Sequence, residues 1–425
     1  MNETCQVSAR KRSRRDLPLL LFILYVAPLC VYLQSLFFAS TNAWAAIYII
    51  ILYVLMLNSG KYSMQIEKSD APLFAFMIVA CIASFRAGAY LYFMQALLVL
   101  MFVWGYTKYD LVTLYNYLEF LVVFGVICAF ACIIQEFWNG FYTVFVSRLF
   151  KPHELETIFR LGEGTGNCGL MPQTSHTAGC ILNAFYILML KNNPRRKKVI
   201  LGIILVLGLI LTGKRAHLFM GLCVYFLSFF VGFERHKEMK KIIVGLVYAL
   251  LLSVGLFAVA PHLPQDSSIA SGLNTIKNFD INDAEIMHGR ELLYAEAIIM
   301  GNSAPLTGHG WGSFKKTVDY HGGNTDVHNI YLQLFAEQGI IVLSLFIFAA
   351  VVIIFSSIKT LKKMRCVCSE YSKEVVLTKL AFCFILFFYL YGLTGNGIYN
   401  VDFLIVLGLG VSILKRVKQQ YEYRT

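Results

Sequence analysis

The residues able to do chemistry are few in this sequence: Lys214 and Arg215 in LTGKRAHLF, Arg290 in GRELLYAEAI, Arg160 in IFRLGEGTG, and His328 in DVHNIYLQLF. Guanidinium forks match phosphate oxygens in bidentate fashion and stay charged at any relevant pH. A neutral imidazole can take the proton from a hydroxyl as it attacks. Together they suit an anionic lipid headgroup, a diphosphate above all, beside a residue that accepts a proton. Each also has an ordinary reading. Lys214 can snorkel into headgroups, Arg290 can form a surface ion pair with Glu291, Arg160 can be a solvated loop residue, and His328 can be a loop histidine. His309 and Trp311 in GHGWG read as structural. No nucleotide-binding glycine loop, serine elbow or HExxH is present. His309 and His321 stand at no familiar metal spacing from His328, and Cys366-Val367-Cys368 is too sparse for zinc.

The elements that must position these residues are set by composition. Of 425 residues 58% are hydrophobic and only 15% charged, too little polar surface to cover the chain in water. Apolar runs predict about twelve transmembrane helices, at 17–38, 42–57, 71–85, 89–105, 111–134, 171–190, 199–212, 216–233, 242–260, 338–358, 375–392 and 400–414. The fold class expected is therefore all-α and polytopic, with a helical extracytoplasmic loop subdomain. Arg10, Lys11, Arg12, Arg14 and Arg15 precede the first span, and the positive-inside rule puts them in the cytoplasm. Alternating from there, both termini are cytoplasmic and most of the 37 Lys and Arg residues fall inside. The net charge of +12 is thus topological, and nucleic acid is not needed as a partner. The basic start followed by an apolar stretch reads as a retained first helix, without a clear cleavage site for a secretory signal. Of the eleven cysteines only Cys168 falls in an outside loop, which argues against a disulfide framework.

Three stretches follow: 1–260 with nine spans and short loops, 261–337 as the large outside loop, and 338–425 with three spans and a cytoplasmic tail. A shorter outside loop, about 135–170, carries Arg160. Within the large loop, residues 289–300 predict a helix with Arg290 in its first turn and Tyr294 one turn on. GHGWGS at 308–313 predicts a turn. A second helix is expected from about Asn329, capped by Asp326, with His328 at its entrance just above the membrane surface. The pair Lys214-Arg215 joins two short apolar spans almost without a loop, which puts both cations at the outer interface, where charge is costly.

Several of these segments are similar to the O-antigen ligase/polymerase family of bacterial surface polysaccharide assembly: LTGKRAHLF at 211–219, GRELLYAEAI at 289–298, PLTGHGWG at 305–312 and HNIYLQLFAEQGI at 328–340. The resemblance covers roughly residues 200–350, with GLMPQTSHTAG at 169–179 as a further similar segment. It implies a glycosyltransferase of GT-C-like type that uses polyprenyl-diphosphate-linked glycans, needs no nucleotide sugar, metal or other cofactor, and works by inversion. Arg215 and Arg290 match the family's diphosphate-binding arginines, and His328 its general base. Lys214, Arg160, Tyr294 and Asn329 complete the expected substrate-binding set. The implied setting is the outer face of the cytoplasmic membrane, among membrane lipid, with a flippase and a chain-length regulator as pathway partners. Polymerase and ligase share these motifs. The Lys-Arg pair and QTSHT look more like exopolysaccharide and capsule polymerases than lipid A-core ligases, so the reading preferred is a polymerase of a surface polysaccharide, whether O-antigen, capsule or exopolysaccharide. The alternatives are a ligase handing finished glycan to a lipid or protein acceptor, a lipid-linked glycan transporter, or a structural scaffold.

Overall fold

The computed structural model describes residues 68–86, 111–146, 148, 166–171, 173–231, 290–320, 323–324, 326–369 and 372–422. These residues sort into two compact units. One holds the described parts of 68–118, 290–360 and 368–422, and the other those of 119–231 and 361–367.

The second unit is built on four helices: the greater part of α1 (Leu111–Phe137), with α2 (Thr174–Leu190), α3 (Arg195–Leu211) and α4 (Arg215–Phe230). Each coincides closely with an apolar run that predicts a span. Small residues let the helices approach. The Cα of Gly125 faces Ala184, that of Gly208 faces Ala129, and Gly221 faces Leu182, with no room for a β-carbon at any of them. Tyr186, fully buried on α2, donates to the Gly221 carbonyl of α4 at 2.9 Å, so its hydroxyl is satisfied inside the apolar bundle. At one end of this unit Glu119 receives Lys191 at 2.9 Å and Lys197 at 3.1 Å.

The first unit contains α5 (Arg290–Ser303), α6 (Ser313–Thr317), a two-residue antiparallel hairpin (Asp319–Tyr320 with Gly323–Asn324), α7 (Ile330–Val367, as far as residue 360), α8 (Lys373–Tyr391) and α9 (Val401–Glu422). A short helix, Ala71–Arg86, belongs here as well. α8 is apolar on every face and buried along nearly its whole length, as befits the central helix of a bundle. Ser372 starts it by accepting from the Val375 amide at 3.2 Å. Phe346 of α7 gathers Tyr331, Tyr389 and Phe76 around it at ring distances of 5.8, 5.1 and 5.1 Å. Asp70 and Lys415 form a deeply buried ion pair at 3.3 Å, and Lys418 donates to Ser69 and Ser356.

Helix α7 is two helices in line. Gly339 breaks it with φ 77° and ψ 178°, a region essentially closed to other residues. The Leu306 carbonyl lies where a β-carbon of Gly339 would stand, and Ile340 donates its amide to the Pro305 carbonyl at 2.8 Å. The loop after α5 therefore threads backbone against backbone across the break.

Among the described residues three helices are long and apolar enough to cross a bilayer: Leu118–Phe137, Ile330–Val367 and Lys373–Tyr391. Three shorter apolar helices accompany them, Ala71–Ala83, Thr174–Leu190 and Arg215–Phe230. The protein is thus a helical membrane protein, and the small hairpin is the one described departure from an all-α fold. Expected spans 17–38, 42–57, 89–105 and 242–260 lie outside the described residues, as do Arg160 and the loop before Arg290.

Candidate active site

The first unit brings four of the expected site residues into one neighbourhood. Helix α5 forms where the apolar stripe predicts it, and its buried side, Leu293 and Ala297, packs with Phe314, Val327 and Ala336. Tyr294 and Leu332 lie against the same core. Arg290 opens α5 and donates to the Thr394 carbonyl at 3.4 Å. That contact replaces the ion pair with Glu291 allowed by sequence. Asn329 donates through Nδ2 to the adjacent carbonyl, Leu393, at 3.2 Å. Two predicted residues thus grip neighbouring peptides of the turn between α8 and α9, a turn that sequence reasoning had not singled out.

The helix after His328 is capped differently from expectation. Asn329, rather than Asp326, is the cap: its Oδ1 accepts from the amides of Tyr331 at 3.0 Å and Leu332 at 3.1 Å. Asparagine wins because it sits one residue before the helix, where the side-chain oxygen reaches the first free amides. Asp326 instead accepts from Gln333 Nε2 at 3.3 Å and pairs with Lys315 at 3.7 Å. His328 has φ +58°, the one positive φ outside glycine among the described residues. A side chain in that conformation costs free energy and persists only where its surroundings enforce it.

Glu337 organises what surrounds the histidine turn. Fully buried, its carboxylate accepts from the amides of Gly312 at 2.7 Å and Phe314 at 3.2 Å, from Gln333 Nε2 at 3.2 Å, and from the Tyr399 hydroxyl. Four donors on one carboxyl group satisfy both oxygens of a side chain buried this deeply. Trp311 lies edge-on to Tyr399 at 5.6 Å and is buried, so the indole packs within the protein. His309 Nε2 bonds the Ser303 hydroxyl at 2.7 Å and the Met300 carbonyl at 3.0 Å, closing the C-terminal end of α5. GHGWGS makes its turn with positive φ at Gly308, Gly310 and Gly312, and continues directly into α6. Sequence reasoning missed Gln333, Glu337, Tyr399 and Thr394. A polar pair four residues apart, Gln333 and Glu337, in an apolar segment beside a span was the available signal.

Lys214 and Arg215 belong to the other unit. They stand at the tip of the α3–α4 hairpin, where Gly213, at φ +67°, turns the chain and Lys214 bonds the Thr212 hydroxyl through its amide at 3.4 Å. Among the described residues no carboxylate forms an ion pair with Arg215. Residues 166–171, the end of the shorter loop, wrap this tip. Asn167 donates its amide to the Leu211 carbonyl at 2.8 Å and its Nδ2 to Glu136 at 2.7 Å, while Gly169 donates to Gln135 at 2.8 Å. Burial pushes the Cys168 thiol of this loop up to about 11, which keeps it a thiol and a poor nucleophile.

Residues 200–347 match the family model described as O-antigen ligase. Over that stretch, about a third of the chain, the sequence is similar to the O-antigen ligase family. No curated protein matches the chain. The matched region contains Arg215, Arg290, His328 and Glu337. It ends before the α8–α9 turn, so the carbonyls that hold Arg290 and Asn329, and the Tyr399 hydroxyl on Glu337, come from outside the O-antigen ligase region.

Proposed function

We propose that this protein is a glycosyltransferase that polymerises polyprenyl-diphosphate-linked oligosaccharide units into a surface polysaccharide. The acceptor hydroxyl attacks the reducing-end sugar carbon, and polyprenyl diphosphate leaves with inversion and without a metal. His328 takes the hydroxyl proton. Arg290 and Arg215 stabilise the charge that grows on the leaving diphosphate, an electrostatic effect ready before the reaction begins. Lys214, Arg160, Tyr294 and Asn329 serve substrate binding. The reading places these groups on the outer face of the cytoplasmic membrane in a protein of about twelve spans, with both termini inside. The single observation that carries it is the convergence of Arg290 and Asn329 on adjacent peptides beside His328, which sits in a conformation that has to be enforced.

The second reading is a ligase that transfers finished glycan from its lipid carrier to another acceptor. The description of the matching family, O-antigen ligase, favours it at least as much. Gel profiling of surface glycans in a deletion strain separates the two. Collapse of the ladder to one repeat unit is the polymerase result, and full-length polymer left on its lipid carrier is the ligase result. Arg290→Ala should cost about 10²-fold in rate, the scale seen for lost oxyanion donors, and Arg290→Lys should recover only part of it. Normal glycan output from Arg290→Ala at wild-type protein level would sink the mechanism.

A further inference from the structure

We infer that Gln333 is a positioning residue that holds His328 in its working conformation. The inference rests on the reading of His328 as the proton acceptor. Gln333 is fully buried one turn into α7, and its carboxamide is used at both ends. Oε1 accepts from the Val327 amide at 3.3 Å, while Nε2 donates to Asp326 at 3.3 Å and to Glu337 at 3.2 Å. The two residues immediately before His328 are therefore tied to Gln333. The residue immediately after it, Asn329, is tied to the Tyr331 and Leu332 amides and to the Leu393 carbonyl. His328 is the link between two fixed points, and its positive φ is what joining them requires.

Chemistry explains why a glutamine serves here. The side chain must accept from a backbone amide and donate to two carboxylates at once. A glutamate would bring a third carboxylate beside Asp326 and Glu337. A methionine would fill the volume with neither donor nor acceptor. With Gln333→Met, Val327 loses its side-chain acceptor and Asp326 keeps Lys315 but loses its link to α7, and His328 can relax toward an ordinary φ and swing its imidazole from the attacking hydroxyl. Displacement of about 1 Å at a reacting group costs on the order of 10²-fold in rate.

The test uses the full-length protein purified in detergent and polyprenyl-diphosphate-linked repeat units extracted from a deletion strain. The inference expects Gln333→Met to lower kcat by about 10²-fold with KM little changed. It also expects the substitution to add nothing to the loss already caused by His328→Ala, since residues acting as one unit are non-additive. Wild-type kcat in a monodisperse Gln333→Met protein overturns the inference. Losses that multiply in the double variant overturn it too, because Gln333 would then act elsewhere than through His328. If Gln333→Met does not accumulate, Asp326→Ala removes one of the same anchors from a partly exposed position. It must then lower kcat in the same way, and unchanged kcat again overturns the inference. Full activity in His328→Ala is a different result, and it removes the functional reading itself.

Discussion

Glu337 offers the sharpest quantitative test of how the site is built. Replacement by alanine takes the acceptor from four donor hydrogens: the Gly312 and Phe314 amides, the Gln333 Nε2 hydrogen that Asp326 does not take, and the Tyr399 hydroxyl. A buried donor left without its acceptor costs about 1–3 kcal/mol. Water entering the cavity recovers part of this, so about 1 kcal/mol for each gives about 4 kcal/mol in all. Glutamine behaves differently. Its oxygen can keep Phe314 and Gln333 while its NH₂ faces Tyr399, whose hydroxyl can turn round and accept. Only the Gly312 amide then meets another donor, a cost of about 1–2 kcal/mol. Amide exchange read by mass spectrometry on peptides covering 308–317 reports the local opening directly. At 1.4 kcal/mol per tenfold, Glu337→Ala should speed exchange by about 10³ and Glu337→Gln by about tenfold. Unchanged protection in the alanine variant, or equal damage from both substitutions, would refute the four-donor account.

Two further outcomes follow from single contacts. His328→Gly should be more stable than His328→Ala by about 1 kcal/mol, because only glycine accepts the positive φ without penalty; the thermal midpoints of the two variants give the comparison. Asp70→Asn removes the carboxylate charge beside the buried Lys415 ammonium and should cost about 3–5 kcal/mol, seen as a lowered midpoint in detergent. Asp70→Leu combined with Lys415→Met should restore most of it, and failure to do so would mean that the pair does more than neutralise itself.

Periodicity and apolar run length made the helices legible. The runs at 111–134, 171–190 and 375–392 became Leu111–Phe137, Thr174–Leu190 and Lys373–Tyr391. Helices are local, and their apolar faces are written in consecutive residues. The site is non-local, and there the sequence said less. Nothing near Glu337 announces Tyr399, which is 62 residues away. Nothing near Arg290 announces Thr394, 104 residues on. The misassigned cap shows the same limit at short range. Asp326 and Asn329 both have the right side chain, and three residues of backbone geometry decided between them. The histidine's positive φ left no mark in composition, since glycine, the usual sign of such a turn, is absent at 328.

On the proposed function, the strain at His328 and the burial of Glu337 answer one physical demand. A proton acceptor aimed at a hydroxyl on a mobile lipid-linked glycan gains from being fixed before the substrate arrives. A loop histidine with free φ would search several orientations at each turnover. Fixing it in an unfavourable one requires anchors stronger than the roughly 1–3 kcal/mol of strain. The Gln333 carboxamide, the Asn329 cap and the Glu337 carboxylate supply seven hydrogen bonds to backbone amides, a backbone carbonyl and side chains around that turn, not counting Asp326 and Tyr399. At a net value of about 0.5–1.5 kcal/mol each, they exceed the strain even after generous allowance for non-additivity. Loss of the Gln333 carboxamide, which holds the two residues before His328, should loosen the histidine before it unfolds the helix. That ordering makes catalytic rate a more sensitive reporter of this network than melting temperature.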